Sequence, residues 1–178
     1  MKRAPLLTAY CLLITSYCLL LLSACIPPLL EDGSLSFQTI EQKNDSAYSL
    51  QEQYTALEPG LFVIDGEESR ARYEVWFGEK GRGQLDRMNF GTVIAVAVFQ
   101  GWQTTGGYGI EIERIIRVGD VVTVVARFDK PGLGNGNGAI TSPYQLVRVS
   151  KAGNWHEEIA YELVVAGEVV AVFPTPEP

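Results

Sequence analysis

Few residues in this chain have side chains suited to catalysis. His156, in Asn-Trp-His-Glu-Glu, is the only histidine. A lone histidine between a loop and a strand is far more often a surface or capping residue than a proton shuttle. No Ser-His-Asp set stands in a recognisable motif. The glycine-rich stretch 132–138 lacks the Gly-Lys-Ser/Thr ending of a phosphate loop and the carboxylate spacing of a calcium loop. Glu111 and Glu113, or Glu157 and Glu158, are acid pairs better explained as exposed strand faces than as an acid and a base. The chain thus reads as a non-enzyme with no cofactor and no metal site. The alternative of an unrecognised hydrolase has no motif behind it. What remains unusual is Gly-Trp-Gln-Thr-Thr-Gly-Gly-Tyr-Gly, residues 101–109, a loop without His, Cys, Asp or Lys that runs into an alternating strand. Trp102 among polar residues is the type of side chain enriched at protein–protein hot spots, which makes Trp102, Thr104, Thr105, Gly106, Gly107 and Tyr108 candidates for partner binding. The plainer reading has Gly106 and Gly107 there for positive φ and Tyr108 as the first core residue of its strand.

The N-terminus bears on location. Met1-Lys2-Arg3 precedes an apolar run from Leu6 to Leu22. At about 17 residues it is shorter than the roughly 20 of a membrane-spanning helix and has the layout of a signal peptide. Leu22-Ser23-Ala24-Cys25 resembles a bacterial lipobox, which implies cleavage before Cys25, acylation of its thiol and a lipid anchor in the cell envelope. The other cysteines, Cys11 and Cys18, fall in the segment removed, so neither a disulfide framework nor a cysteine metal site is available. Removing Lys2 and Arg3 takes the formal charge from −7 to −9. An acidic chain without a basic stripe is not built to bind nucleic acid.

The expected organisation is a signal peptide over 1–24, a lipidated tether over 25–33 with Pro27 and Pro28, one β-rich domain over 34–173 and a Pro-rich tail over 174–178. Alternation predicts a first strand over 34–42, and Leu61–Ile64 reads as a short apolar strand. Asp65, with Glu68 three residues on, predicts a capped helix ending at Gly78, with Tyr73, Trp76 and Phe77 along one face. Residues 78–89 read as a glycine-rich connection. The run 92–99 is apolar at nearly every position, which requires both its faces to be covered. Residues 108–117 and 121–128 form a hairpin, as do the strands either side of Ala166-Gly167, while Ser142-Pro143-Tyr144 opens another strand. The fold class expected is mainly β: an antiparallel β-sandwich, immunoglobulin-like or a small closed sheet, with one short α-helix.

Residues 90–151 resemble the C-terminal domain of PrcB-like protease-complex subunits. The resemblance rests on Val-Ile-Ala-Val-Ala-Val-Phe-Gln-Gly-Trp-Gln-Thr-Thr-Gly-Gly-Tyr, on Val-Thr-Val-Val-Ala-Arg-Phe-Asp-Lys-Pro-Gly, and on Ala-Ile-Thr-Ser-Pro-Tyr-Gln-Leu-Val-Arg-Val. Trp102-Gln103-Thr104 departs from the basic residue or proline that members carry there. The resemblance implies a non-catalytic partner of an extracytoplasmic peptidase. A fainter likeness, carried by Thr104 to Tyr108, the Gly-Asn loop and Ser142-Pro143-Tyr144, is to chagasin-type peptidase inhibitors, and it adds Ser142, Pro143 and Tyr144 to the partner-binding set. A purely structural envelope domain is the remaining alternative.

Overall fold

The computed structural model describes residues 33–44, 54–132, 140–153, 155 and 159–174. The signal segment, Cys25, the tether up to residue 32, His156, most of the Gly-Asn loop and residues 175–178 lie outside the described residues.

The apolar run in the middle of the chain becomes β3, Val93–Phe99, with six of its seven residues buried. Period-2 alternation sends Ile94, Val96 and Val98 to one side and Ala95, Ala97 and Phe99 to the other, and each set joins a different hydrophobic cluster. Around β3 stand β1 (Phe37–Lys43), β2 (Gly60–Ile64) and β6 (Tyr144–Ser150), in the order β1-β6-β3-β2 and antiparallel throughout. The second sheet has the order β4-β5-β7-β8, from β4 (Gly109–Val118), β5 (Val121–Asp129), β7 (Ala160–Val165) and β8 (Glu168–Phe173). Ile94, Val96, Val98, Val147 and Val149 pack against Ile110, Ile112, Ile115, Val122, Val124 and Leu163 between the layers. The protein is a β-sandwich, and its sheets stay open rather than closing on themselves.

One strand pair departs from the antiparallel expectation. β5 and β7 run parallel, Val122 opposite Tyr161 and Val124 opposite Leu163. Between them the chain crosses to the first sheet to make β6, and a crossover, unlike a tight hairpin, can return a strand in the same direction. The 4–5 hairpin turns at Gly119, with φ +60, and the 7–8 hairpin at Ala166-Gly167. A bulge after Ile112 in β4 resets the alternation, so that Ile112 and Ile115, three residues apart, both face the core. Tyr108 stands before β4, half-buried, rather than as its first core residue.

The outer face of the first sheet is covered by two short helices where one was expected. α1, Glu67–Tyr73, starts one residue later than Asp65 implied: Gly66 is the cap, and Ser69, not Glu68, closes it. The Ser69 hydroxyl accepts from the Asp65 and Gly66 amides at 3.0 and 3.1 Å and donates to Asp65 Oδ1 at 2.9 Å. A 3₁₀ turn over Glu74–Trp76 then redirects the chain, so the three aromatics meet the sheet from a bend instead of one continuous helix. Trp76 lies 4.8 Å from Phe62 and 5.8 Å from Phe99 between ring centroids, and Phe77 is buried.

The second helix, α2 (Glu79–Leu85), occupies what read as a connection. Its two glycines suggested a loop because each lowers helix propensity. Gly81 is there for proximity: a Cβ on it would come within 2.5 Å of Glu41 Oε2 and 2.9 Å of Phe77 Cβ. Leu85, fully buried beside Ile40 and Leu146, anchors the helix.

If Leu85 anchors α2, Leu85→Ala lowers stability by about 2–5 kcal/mol. Gly81→Ala sets a propensity gain of about 1 kcal/mol against overpacking of about 1–3 kcal/mol, and the contacts at 2.5 and 2.9 Å make the net change destabilising. Urea midpoints of the two variants check both, and a Gly81→Ala variant more stable than the parent would mean that α2 does not lie this close to β1.

Candidate functional site

The loop singled out in the sequence leaves β3 at Phe99 and is held by backbone hydrogen bonds on both flanks. Gln100 N–H donates to Pro143 O at 3.0 Å, Trp102 N–H to Ala56 O at 2.9 Å, and Gln103 and Thr141 exchange a pair of bonds at 2.8 and 2.9 Å. The Thr141 hydroxyl adds a bond to Thr105 O at 3.3 Å, and the Ser142 hydroxyl bonds Tyr54 O at 3.0 Å. Three segments, 54–58, 100–105 and 141–143, are thereby fastened into one platform at the end of the first sheet.

Two glycines make this possible. Gly101 has φ +88, and a Cβ on it would sit 2.3 Å from Leu57 O, so neither the backbone angle nor the space admits a side chain. Gly107 has φ +90 and is exposed, whereas its neighbour Gly106 is buried and outside the left-handed region. Of the glycine pair, only Gly107 therefore serves as a positive-φ hinge. Gly101 was not among the sequence candidates, although it ends the apolar strand in the pattern that carried the family resemblance.

The candidate residues divide by exposure. Thr104 and Gly107 face solvent, while Trp102, Thr105 and Tyr108 are half-buried and keep part of their surface outside. Ser142 and Tyr144 are 2% and 4% exposed, and Pro143 is buried as well. The expectation that 142–144 offer side chains to a partner is corrected on that point: they support the loop from beneath. Tyr144 is a core residue, its ring 5.3 Å from Phe99 and 5.7 Å from Phe77.

The Tyr144 hydroxyl donates to Glu41 Oε2 at 2.7 Å, and the Gly78 amide donates to both oxygens at 3.0 Å. A buried carboxylate is thus satisfied by donors from β6 and from the start of α2, with Lys43 Nζ 3.9 Å from its other oxygen. Burial first, then the bond to Glu41, hold the Tyr144 phenol well above the usual tyrosine range. Gln145 is a second buried polar tie: its Oε1 accepts from Ile112 N–H at 2.6 Å and its Nε2 donates to Thr39 Oγ1 at 2.9 Å, joining the two sheets. Gln100, also buried, donates to Asp129 O at 3.2 Å. Its Oε1 has no hydrogen-bond partner among the described residues.

The platform holds a half-exposed indole, a half-exposed phenol and a threonine, with no nucleophile beside a base. Among the described residues no three His, Cys, Asp or Glu side chains converge as metal ligands, and no helix is long and apolar enough to cross a membrane.

Residues 94–150 match the family described as PrcB C-terminal. The match takes in β3, β4, β5 and β6 together with the loop and the 141–143 support, and leaves β1, β2, both helices, β7 and β8 outside it. Neither the curated proteins nor the solved structures hold a match to this chain.

The raised Tyr144 phenol has a pH consequence. Above the ordinary tyrosine value of about 10 the unfolded chain releases this proton while the folded protein keeps it, so stability is lost as pH rises through that region. Tyr161, raised by burial and then by the charge of Asp65, acts in the same direction. Tyr144→Phe should lower stability at pH 7 by about 1–3 kcal/mol, since Glu41 loses a buried donor. Its further decline between pH 9 and about 11 should be shallower than the parent's, as chemical denaturation at stepped pH will show.

Proposed function

We propose that this protein is a non-catalytic, protein-binding subunit that works beside an extracytoplasmic peptidase and is held at the membrane by a lipid on Cys25. The observation that carries the reading is the family match over 94–150, because it takes in the loop, its 141–143 support and the strands β3 and β6 that they adjoin. The fold supports it in physical terms: a rigid sandwich fixes the loop at both flanks, and a surface that is preorganised loses less entropy on binding. A half-exposed Trp102 beside Tyr108 supplies the aromatic area typical of binding hot spots.

An inhibitor that plugs a peptidase cleft with three loops would need the side chains of 142–144 turned outward, and their burial favours a partner that meets the 102–108 loop alone. The anchor reading rests on Leu22-Ser23-Ala24-Cys25. The thiol is the only acceptor in that motif, so Cys25→Ser abolishes lipid labelling and signal-peptide processing together, and a variant still cleaved after Ala24 and labelled would remove the anchor from the proposal.

Partner binding is tested with full-length protein extracted from envelopes in mild detergent. A peptidase identified by mass spectrometry should co-purify with the parent chain. Trp102→Ala should weaken that association by about 2 kcal/mol, roughly thirtyfold, with the denaturation midpoint little changed. Equal capture by the variant, together with unfolding of Gly107→Val, would reduce the loop to a corner between strands.

A further inference from the structure

The sandwich has two side seams where an edge of one sheet meets an edge of the other, and they are closed differently. Along the β4 edge the chain satisfies its own backbone. Gln42 Nε2 donates to Ile110 O at 2.5 Å, Gln145 Oε1 takes the Ile112 amide, and residues 33–35 add backbone bonds to Ile115 and Arg117 at 2.8 Å. On the opposite side β2 ends one sheet and β8 the other. Phe62 and Phe173 lie 6.5 Å apart across this seam, yet among the described residues no backbone hydrogen bond joins the two strands. A groove of about 390 Å³ opens there, lined by Tyr54, Glu58, Phe62, Val170 and Val172 among others.

Exposed edge strands are usually guarded by lysine, proline or a bulge. Glu168–Phe173 contains neither lysine nor proline, and Val169, Val170 and Val172 are 54%, 37% and 37% exposed. Its one irregularity is the register shift that leaves Val170 unpaired with β7, after which the ladder resumes with Ala171 opposite Leu163. Val170, Ala171 and Val172 all line the groove, so the edge itself faces into it. A row of free N–H and C=O groups is matched in full only by another extended backbone. Of the residues that line the groove only Glu58 is charged, and it is exposed and takes part in no ion pair among the described residues.

We propose that the β2–β8 groove receives an extended segment of a partner protein, apolar and basic in alternation, which adds as a strand to the free edge of β8. Its apolar side chains lie on Phe62 and Val172, a cation reaches Glu58, and the bulge at Val170 sets the register from Ala171 onward. The inference does not rest on the peptidase reading, although Tyr54 and Glu58, which line the groove, belong to the segment 54–58 that Trp102 and Ser142 are bonded to.

The test uses the full chain and a fluorescent, end-blocked octapeptide of alternating valine and lysine. Anisotropy should show saturable binding, hydrogen exchange should show protection of the 169–173 amides, and Val172→Lys should weaken binding about tenfold or more while leaving the fold intact by circular dichroism. Alternate amides of a strand point to opposite edges. N-methylation of the valines or of the lysines should therefore weaken binding about tenfold in one case and spare it in the other, the worth of one or two hydrogen bonds. Three results would overturn the proposal. One is an absence of binding at millimolar peptide, as when the chain's own residues fill the groove. Another is binding indifferent to both methylation patterns. The third is a concentration-dependent dimer that Val172→Lys dissolves, which would assign the edge to a second copy of this chain. None of them would touch the Trp102 result.

Discussion

β3 has no polar face, and that constraint organises the domain. A strand with Ile94, Val96 and Val98 on one side and Ala95, Ala97 and Phe99 on the other must be covered twice. The second sheet covers the first side and the two helices cover the other, which makes the protein a three-layered structure built outward from seven residues. The choice of residues follows the layers. Branched side chains fill the space between two pleated sheets, whereas alanines on the helix side let aromatic rings from Phe62, Trp76 and Phe77 lie close to the strand.

Apolar layers alone would leave the relative positions of the sheets and helices weakly specified, and the few buried polar groups do that orienting. Glu41, Tyr144 and the Gly78 amide converge on one point, so β1, β6 and the start of α2 can approach only in one arrangement. Gly81 makes the approach sterically possible. Gln145 performs the equivalent task between the sheets, and its bond to the Ile112 amide also satisfies part of the β4 edge. A polar group removed from water without its partner is costly, so each of these contacts disfavours packings in which it is missing.

The loop platform inherits this rigidity. Because Tyr144 is fixed in the core and Pro143 O and Thr141 are bonded to the loop, the segment from Gln100 to Thr105 is positioned by the same residues that hold β6 in place. A surface loop can then present Trp102 and Tyr108 from a fixed frame without many contacts of its own. The second surface, at the β2–β8 seam, is of another kind, since it offers backbone and apolar area where the platform offers aromatic edges.

Much of the strand pattern was legible in the residues themselves. Alternation, short apolar runs and the turn residues between them located the eight strands of the described residues to within a few positions, the unbroken apolar run marked β3 as two-sided, and Val118-Gly119-Asp120 and Ala166-Gly167 marked their hairpins, because strand faces and tight turns depend on neighbours in the chain. The loop 102–108 could be singled out for the same reason. Contacts between residues far apart in the chain were not legible. The glycines of α2 read as a loop, since propensity is local while the need for Gly81 comes from Glu41, some forty positions away. The parallel β5–β7 pair depends on the path of β6 through the other sheet. Ser142 and Tyr144 read as surface ligands through the likeness to chagasin-type inhibitors, and their hydrogen-bonding groups suit an exposed or a buried setting alike. Only the folded chain supplies Tyr54 O and Glu41 as their partners and so turns them inward.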